Sequence, residues 1–379
     1  MILVLNSGSS SVKYRLVPDG PAAPGGHGLV ARIGEPGGPR DHHAALVQVF
    51  ADPAFRDVQI SAVGHRVVHG GARYVRPVIV DDEVLDGLRE LIPLAPLHNP
   101  GGIAGIVAAR SHLPHTPQVA CFDTAFHASL PAAAATYAID AGVAARYGIR
   151  RYGFHGISVA YVARRAADLL ERRPEDLNLI VLHLGNGASA TAVHGGHSVE
   201  TSMGFTPTEG LVMGTRPGDL DAAVPDHLVA QAGMSTRDVD DLLQHHSGLA
   251  GLCGDNDMRA VLARRANGDP AASLAFDVYC HRIRKYVGAY HAVLGHLDAI
   301  VFTAGVGEHA PPVRAASLAG LEAWGIAVDA QRNTSGPAAR VISPDGAPVP
   351  VWVVPTDEEL AIASEVRTLL GPEVVRPGT

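Results

Sequence analysis

The apolar and polar positions of this chain alternate in short blocks, and these blocks predict an α/β protein. Short apolar runs that end at Gly, Ser, Asn or Asp indicate buried strands, whereas apolar residues at helical intervals indicate amphipathic helices. The predicted strands cover residues 1–5, 12–17, 29–33, 60–65, 78–80, 116–122, 178–184, 190–194, 299–303 and 349–354. Helices are predicted over 81–92 and 273–294, and Thr356 with Glu359 predicts a capping box at the start of a last helix.

Two segments of the chain share one pattern. Residues 1–5 lead into a polar turn that ends at Lys13, and residues 178–184 lead into the glycine-rich turn 185–189. A returning strand follows each turn, and the two units are about 180 residues apart. This repeat predicts a duplicated domain whose two turns face each other across a cleft.

The first turn, from Asn6 to Lys13, has the composition of a phosphate-binding loop. Glycine and serine let backbone N–H groups approach an anion closely, and Lys13 supplies a compact positive charge. Of the 30 basic residues, only Lys13 and Lys285 are lysines. Because glycine and serine also dominate ordinary turns, a hairpin turn without a ligand stays open as the alternative for this segment alone.

Length and composition indicate a globular protein. The 379 residues suffice for two domains, each with its own core. Apolar residues make up 47% of the chain and charged residues 18%, and no apolar run reaches the length of a membrane span. With residues 1–5 too short for a signal-peptide core, we expect a cytoplasmic protein without a membrane partner.

Charge and cysteine content exclude further classes. The net charge of -8 argues against a nucleic-acid partner, although a local basic pocket for a small anion is compatible with it. Cys121, Cys253 and Cys280 make neither a metal pattern nor a disulfide framework, so we expect core thiols.

Several polar side chains stand among glycines or prolines, namely Arg66, His98, His155 and Arg216. The planar guanidinium of arginine binds carboxylate and phosphate through two parallel hydrogen bonds, and two arginines can neutralise an anion whose charge grows during transfer. We identify no His-x-x-x-His or Cys-x-x-Cys pattern, so the spacings do not predict zinc. Any metal is expected to be Mg²⁺, held by one or two oxygen ligands and nucleotide phosphates.

Taken in order, a set of segments resembles the acetate kinase family from end to end. The segments are 6–13, 64–71, 122–127, 152–156, 183–187, 214–216 and 356–359. The resemblance implies the acetate and sugar kinase/Hsc70/actin superfamily, with two duplicated ribonuclease-H-like (actin-like ATPase) domains, an interdomain cleft for ATP, and a homodimer. We expect residues 1–127 with 361–379 to form the N-terminal lobe. Residues 128–360 would form the C-terminal, nucleotide-binding lobe and the dimer interface.

The resemblance also implies roles for individual residues. The catalytic groups would be Arg66, Arg216, His155 and Asp123, with both arginines binding the carboxylate and then the transferring phosphoryl group, to which His155 would donate. The acyl pocket would be formed by Val68, Leu97, Phe154 and Pro207. Asn6 and Glu358 would position Mg²⁺, directly or through water. ATP would be held by Ser9, Ser11, Lys13, His183, Leu184, Gly185, Asn186, Gly187, Asp257, Met258, Arg259, Gly305, Val306, Gly307, Glu308 and His309.

A few positions depart from the family pattern. Ile157 and Val159 stand where a Thr and a His are usual, and Pro217 replaces the usual Ser after Arg216. These changes bear on turnover and on the acyl substrate. His309 replaces the usual Asn in the glycine loop and bears on nucleotide preference.

The sequence therefore predicts a Mg²⁺-dependent acetate kinase that forms acetyl phosphate and ADP from acetate and ATP by direct in-line transfer. A carboxylate oxygen is already a nucleophile, so the reaction needs positioning and charge neutralisation rather than a strong base. One alternative is a kinase for propionate or another short-chain acid, or one with another phosphoryl donor. The other is an actin- or Hsc70-like ATP switch without carboxylate-dependent turnover.

Overall fold

The computed structural model describes residues 1–18, 25–56 and 58–371 and confirms the α/β class. The strands are β1 (Ile2–Ser7), β2 (Ser11–Val17), β3 (His27–Ala31), β4 (Ala62–Val67), β5 (Val78–Ile79), β6 (Gln118–Phe122), β7 (Asn178–Leu184), β8 (Ala188–His194), β9 (His197–Thr201), β10 (Ala299–Thr303), β11 (Arg340–Val341) and β12 (Val351–Val353). The α-helices are α1 (His42–Ala51), α2 (Asp82–Glu90), α3 (Asn99–His112), α4 (Ala132–Ala135), α5 (Ala141–Tyr147), α6 (Gly156–Leu169), α7 (Ala223–Ala232), α8 (Thr236–His245), α9 (Gly248–Cys253), α10 (Met258–Ala266), α11 (Pro270–Leu294), α12 (Ala304–His309), α13 (Pro311–Leu318), α14 (Ala330–Thr334) and α15 (Glu358–Leu370).

Contacts divide the chain into two units. The first comprises the described residues of Met1–Ala128, Gly156–Ser158 and Asp357–Thr379, and the second comprises Ser129–His155 and Val159–Thr356. The C-terminal segment of the first unit begins at residue 357, whereas we expected it to begin at residue 361. The difference arises because α15 is one continuous helix that packs against β1 and β4 of the first unit. Gly64 of β4 makes that approach possible, since a Cβ there would lie 2.6 Å from Ile362 Cγ2.

Each unit contains one mixed sheet, and the two sheets have the same topology. In the first unit the strand order is β3-β2-β1-β4-β6-β5, with β1, β4 and β6 parallel and the other pairs antiparallel. In the second unit the order is β9-β8-β7-β10-β12-β11, with β7, β10 and β12 parallel. The predicted duplication is thereby confirmed at the level of strand order and direction.

The cores of the units follow from the strand sequences. Leu3 and Leu5 of β1 pack in one buried cluster with Leu46 and Val49 of α1. In the second unit all residues of β7 and β10 are buried, as expected for strands covered on both faces. Several candidate site residues, among them Val68, Asp123 and Gly185, directly follow the carboxyl ends of parallel strands, where an open α/β sheet places its ligands.

Two local predictions are wrong. The glycine loop 304–309 is a short helix, α12, because its amides continue directly from β10 into helical hydrogen bonding. The capping box of Thr356 and Glu359 does not form. Asp357 is the N-cap of α15, and its carboxylate accepts a hydrogen bond from Leu360 N at 2.9 Å.

Two further observations concern thiols and membranes. Cys121, Cys253 and Cys280 are free and buried, which confirms the expectation of core thiols. Within the described residues, none of the helices combines the length and apolar character needed to cross a bilayer.

Candidate active site

Arg66 and two carboxylates form the polar centre of the first unit. Arg66 is the penultimate residue of β4 and donates from Nη2 to Asp123 Oδ2 at 2.6 Å and from Nε to both carboxylate oxygens at 3.1 and 3.2 Å. Its Nε also lies 3.7 Å from Glu358 Oε2. Burial by itself lowers the pKa of Arg66, but the charges of Asp123 and Glu358 outweigh it and raise that pKa above its usual value. Arg66 is therefore always cationic.

The carboxylates around Arg66 suit a hard metal ion. Asp123 is only 1% exposed, and burial raises its pKa, an effect that the charge of Arg66 opposes. Asn6 lies in β1, beside β4, and its side-chain amide makes no hydrogen bond within the part of the chain that the structure describes. Carboxylate and amide oxygens are ligands that Mg²⁺ accepts. The oxygen donors of Asn6 and Glu358 therefore fit the expected ion.

Three contacts hold the backbone of the turn after β1. Gly8 N donates to Ser11 O at 2.8 Å, and the imidazole Nε2 of His42 lies 2.8 Å from Gly8 O. Helix α3 approaches so closely that a Cβ on Gly101 would lie 2.5 Å from Gly8 C and O. Ser9 is exposed at the tip of this turn. Its backbone and hydroxyl are thus presented on a fixed loop.

Lys13 lies on β2 rather than at the tip of the turn. Its side chain is 58% exposed, and its Nζ lies 2.5 Å from Glu359 Oε1. The lysine thus already has a carboxylate partner. A direct phosphate contact by Lys13 stays a prediction.

The residues expected to contact the acyl group divide between the units. In the first unit, Val68 is half-buried directly after β4, and Leu97 is 47% exposed before α3. The buried Asn99 fixes this region, because its amide exchanges hydrogen bonds with His69 N and O at 3.1 Å each. In the second unit Phe154 is 2% exposed and Pro207 is half-buried.

Arg216 is a cation of the second unit that has no acidic partner among the described residues. Its half-buried guanidinium donates from Nη1 to the carbonyl of Pro207 at 3.0 Å and lies 3.9 Å from Met213 Sδ. No carboxylate pairs with it among the described residues, and desolvation lowers its pKa. A half-buried cation without a counter-ion has the chemistry of an anion site.

The loop of Arg216 is tied to the second glycine turn. Gly214 N donates to Asn186 O at 2.8 Å, and a Cβ on Gly214 would lie 1.9 Å from Asn186 Oδ1. Within the turn, Gly185 N donates to Gly187 O at 2.9 Å. The fully buried Leu184 anchors the turn at the end of β7. The Arg216 loop and the glycine turn therefore hold each other in place.

His155 lies against the strands that carry this turn. Its ring stacks on the imidazole of His183 with 4.2 Å between centroids and 19° between planes, and its Nδ1 lies 3.0 Å from Ser189 Oγ. The backbone of His155 has φ 59°, the left-handed region that non-glycine residues rarely adopt. Such an outlier at a polar side chain is a frequent feature of functional sites.

A cavity of about 480 Å³ opens beside the same turn in the second unit. It brings together many of the residues expected to hold the nucleotide, namely Gly185, Asn186, Asp257, Met258, Arg259, Gly305, Val306 and His309. Sequence reasoning missed other lining residues, namely Leu249, Asn256, Leu262, Tyr279 and Ala310. Four of these are apolar or helical and carried no signal of a ligand, whereas Asn256 lies in a loop directly before Asp257 and could have been found from that position.

Gly307 and Glu308 do not line this cavity. Gly307 is buried within α12, and Glu308 Oε1 accepts hydrogen bonds from Ala304 N at 2.9 Å and Thr356 N at 3.2 Å. The buried Arg314 donates to the carbonyls of Gly307 and Glu308 at 2.8 and 2.9 Å. These contacts hold α12 in place, and a nucleotide contact by Gly307 or Glu308 stays a prediction.

The residues that depart from the family pattern differ in their exposure to solvent. Ile157 and Val159 are buried in α6 at 3% and 0% exposure, and Pro217 is half-buried. The His309 side chain is 79% exposed at the cavity, 3.9 Å from Glu308 Oε2.

The absence of a zinc pattern requires one correction. His65 and His69 do have the His-x-x-x-His spacing, but His65 lies in a strand, β4, where that spacing does not align two rings as it does on a helix. Within residues 1–18, 25–56 and 58–371, no group of three or more His, Cys, Asp or Glu side chains could hold a metal ion.

Comparisons with known proteins agree with this geometry. The Acetokinase family profile matches residues 36–364. The chain is similar to the acetate kinase of Streptomyces griseus subsp. griseus, with 55% identity over 403 aligned positions that cover 100% of this chain and 98% of that protein. Among solved structures, it is similar to the acetate kinase of Porphyromonas gingivalis, with a TM-score of 0.92, 39% identity and coverage of 98% and 99%. A propionate kinase from Francisella tularensis has a TM-score of 0.90, 39% identity and coverage of 96% and 98%. The chain is thus a kinase and belongs to the acetokinase family.

Proposed function

We propose that this protein is an acetate kinase, which transfers the γ-phosphoryl group of ATP to a carboxylate oxygen of acetate and runs reversibly through acetyl phosphate and ADP. The observation that carries this proposal is the guanidinium of Arg216, half-buried and without a carboxylate partner among the described residues. An actin-like switch has no need for such a cation, and the relatives named acetate kinase do not favour that alternative.

The proposed chemistry rests on positioning and charge. The acetate oxygen is already nucleophilic, so the residues only need to align it with the γ-phosphorus and neutralise the charge of the transferring group. Arg216 and Arg66 supply positive charge, and His155 supplies a hydrogen-bond donor. Asp123 holds the Arg66 fork through two hydrogen-bonded oxygens. Mg²⁺, held by Asn6 and Glu358, would neutralise phosphate charge when bound.

We place the nucleoside of ATP in the cavity of the second unit. Its volume of about 480 Å³ is within the range of small-molecule pockets. Asp257 lines this cavity, and its carboxylate accepts hydrogen bonds from Arg259 Nε and Nη2 at 3.0 and 2.6 Å. The Arg259 guanidinium therefore holds this carboxylate in place. The polar rim and the apolar floor formed by Met258 and Leu262 suit a base and a ribose.

The acyl chain is the finer part of the proposal. The Porphyromonas acetate kinase and the Francisella propionate kinase have the same sequence identity to this chain, 39%. Comparison with these two structures therefore does not distinguish acetate from propionate. The relatives named acetate kinase, at 51% to 55% identity, favour acetate. A cytoplasmic location and a homodimer stay predictions of the sequence.

A trapping assay tests the function. Hydroxylamine converts an acyl phosphate into a hydroxamate, so the assay is run with acetate, propionate and butyrate against ATP, GTP and pyrophosphate. We expect hydroxamate with acetate and ATP. ADP release that does not depend on any acid would contradict the proposal and indicate the ATP switch.

Arg216 gives the matching mutational test. Arg216→Ala should lower kcat by about 10²–10³-fold, the range for loss of a preorganised donor to the transition state. Arg216→Lys should recover little, because an ammonium cannot reproduce the planar fork. Arg237→Ala, at an exposed position of α8, is the control and should retain full activity. A lysine variant with near wild-type kcat would refute the importance of the fork.

A further inference from the structure

Among the described residues, the hydroxyl of Ser189 has one hydrogen-bond partner, which is His155. Ser189 is 0% exposed in β8, and its Oγ lies 3.0 Å from His155 Nδ1. No other hydrogen bond to this hydroxyl exists among the described residues. In the β7–β8 ladder Ser189 is the direct partner of His183, the residue on which the His155 ring stacks. Two adjacent ladder residues thus hold one imidazole.

This single contact determines where the protons lie. A serine hydroxyl has one hydrogen to donate, and a buried hydrogen without an acceptor costs the full desolvation of that group. If Nδ1 carried a proton and donated it to Oγ, the hydroxyl hydrogen would be left buried without an acceptor. If Oγ donates instead, Nδ1 is the acceptor and the hydroxyl hydrogen has its partner. The neutral ring then carries its own proton on Nε2.

We propose that Ser189 is a positioning residue that holds His155 as the neutral Nε2–H tautomer. The Nε2 edge of the ring lies beside the glycine turn, since a Cβ built on Gly187 would be 3.4 Å from Nε2. His155 therefore presents an N–H donor on the side of this turn without becoming an imidazolium. The consequence for phosphoryl transfer rests on the proposed kinase function, whereas the tautomer does not.

The fold supports this orientation from other directions. The stack on His183, with 4.2 Å between centroids, prevents the His155 ring from tilting, and the left-handed backbone at φ 59° fixes the direction of its Cβ. A fixed Cβ, a stacked face and a bonded Nδ1 together leave the ring one orientation. This is the supporting shell that a precise hydrogen-bond donor requires.

Nitrogen-15 NMR on histidine-labelled protein tests the tautomer without substrate. The His155 signals are assigned by their loss in His155→Gln, and coupling to ring protons identifies which nitrogen is protonated. At pH 8 we expect an unprotonated Nδ1 and a protonated Nε2 in the wild type. Ser189→Ala should shift the Nδ1 signal, because that nitrogen loses its donor. Thr191→Val is the matched control: it removes a buried hydroxyl from the same strand, one bonded to Thr201 at 3.1 Å, and should leave the His155 signals unchanged.

Kinetics on the same proteins complete the test. Ser189→Ala should lower kcat by about tenfold, the factor that one neutral hydrogen bond supplies, with the KM values for ATP and acetate nearly unchanged. A protonated Nδ1 in the wild type would overturn the inference whatever the activity. So would unchanged His155 signals and kcat in Ser189→Ala. The expected tautomer in a protein without carboxylate kinase activity would instead refute only the proposed function.

Discussion

At the scale of single residues, the adjacent Glu358 and Glu359 have different environments. Glu358 lies 3.7 Å from Arg66 Nε, whereas Glu359 Oε1 lies 2.5 Å from Lys13 Nζ. The sequence indicated that the two carboxylates have different roles, but it assigned Glu359 to a helix cap. Asp357 competes for the cap position and forms it, because aspartate is at least as good an N-cap as threonine.

The two glutamates should respond differently to Mg²⁺. Glu358→Gln removes a charged oxygen from the predicted metal site, and we expect the Mg²⁺ concentration for half-maximal activity to rise by about 10-fold or more. Glu359→Gln breaks the ion pair with Lys13 and should leave that concentration unchanged. Titration with Mg²⁺ at saturating ATP measures both. An equal shift in the two variants would show that the roles are divided wrongly.

At the scale of elements, the sequence predicted the buried strands, but it did not predict helix α3, which packs on the turn after β1. Apolar runs identified β1, β4, β6, β7 and β10 because these strands are buried on both faces. Helix α3 was not predicted, since Gly101, Gly102 and Gly105 lower helix propensity. For Gly101 and Gly105 the structure shows a tertiary contact that no local pattern reveals: the helix backbone packs on Gly8 and Ser7.

Gly101→Ala should disturb that contact and lower activity. A Cβ at this position would lie 2.5 Å from Gly8 C and O, and backbone atoms cannot move aside as a flexible side chain can. We expect the turn to shift and kcat/KM for ATP to fall by up to about 10²-fold, the cost of misplacing a site by roughly 1 Å. Steady-state kinetics at saturating acetate measure the effect.

Gly102→Ala is the matched control for this helix. Its Cβ would meet only Arg66 O, at 3.7 Å, which is an ordinary contact. The gain in helix propensity is the same, about 1 kcal/mol, so the control should be as stable as the wild type or more stable, with full activity. Equal kinetics for the two variants would mean that the turn does not contact ATP or that it adapts to the added methyl group.

At the scale of the whole molecule, the sequence predicted the duplication but not its limits. Two strand–turn–strand units of similar composition were enough to predict two related domains, and the strand orders confirm this. The edge strand β11 was not predicted, because its two residues are too few for any period to be read reliably. Tyr279 lines the cavity and Ser189 bonds to His155, and both features join residues far apart in the chain, so no local pattern could predict them.

Acid stability of the chain depends on histidines buried in their neutral form. His65 in β4 is 2% exposed, and its Nε2 bonds to Gln118 Oε1 at 2.8 Å. Burial lowers the pKa of His65 from its usual 6.5 to about 4. Between pH 6.5 and pH 4 the unfolded chain therefore binds a proton that the folded chain excludes. As the pH is lowered through that interval, protonation of this one residue should reduce the free energy of unfolding by up to about 1.4 kcal/mol per pH unit.

His65→Gln should make the free energy of unfolding less dependent on pH. We expect a lower stability at pH 7, because the buried packing changes, but a smaller decline between pH 6.5 and pH 4, because the variant has no imidazole to protonate at this position. His227→Gln in α7 is the control, since that histidine is exposed and should show the wild-type slope. Urea denaturation at half-unit pH steps measures the slopes. If His65→Gln declines as steeply as the wild type, then carboxylates or other histidines, and not His65, determine acid stability.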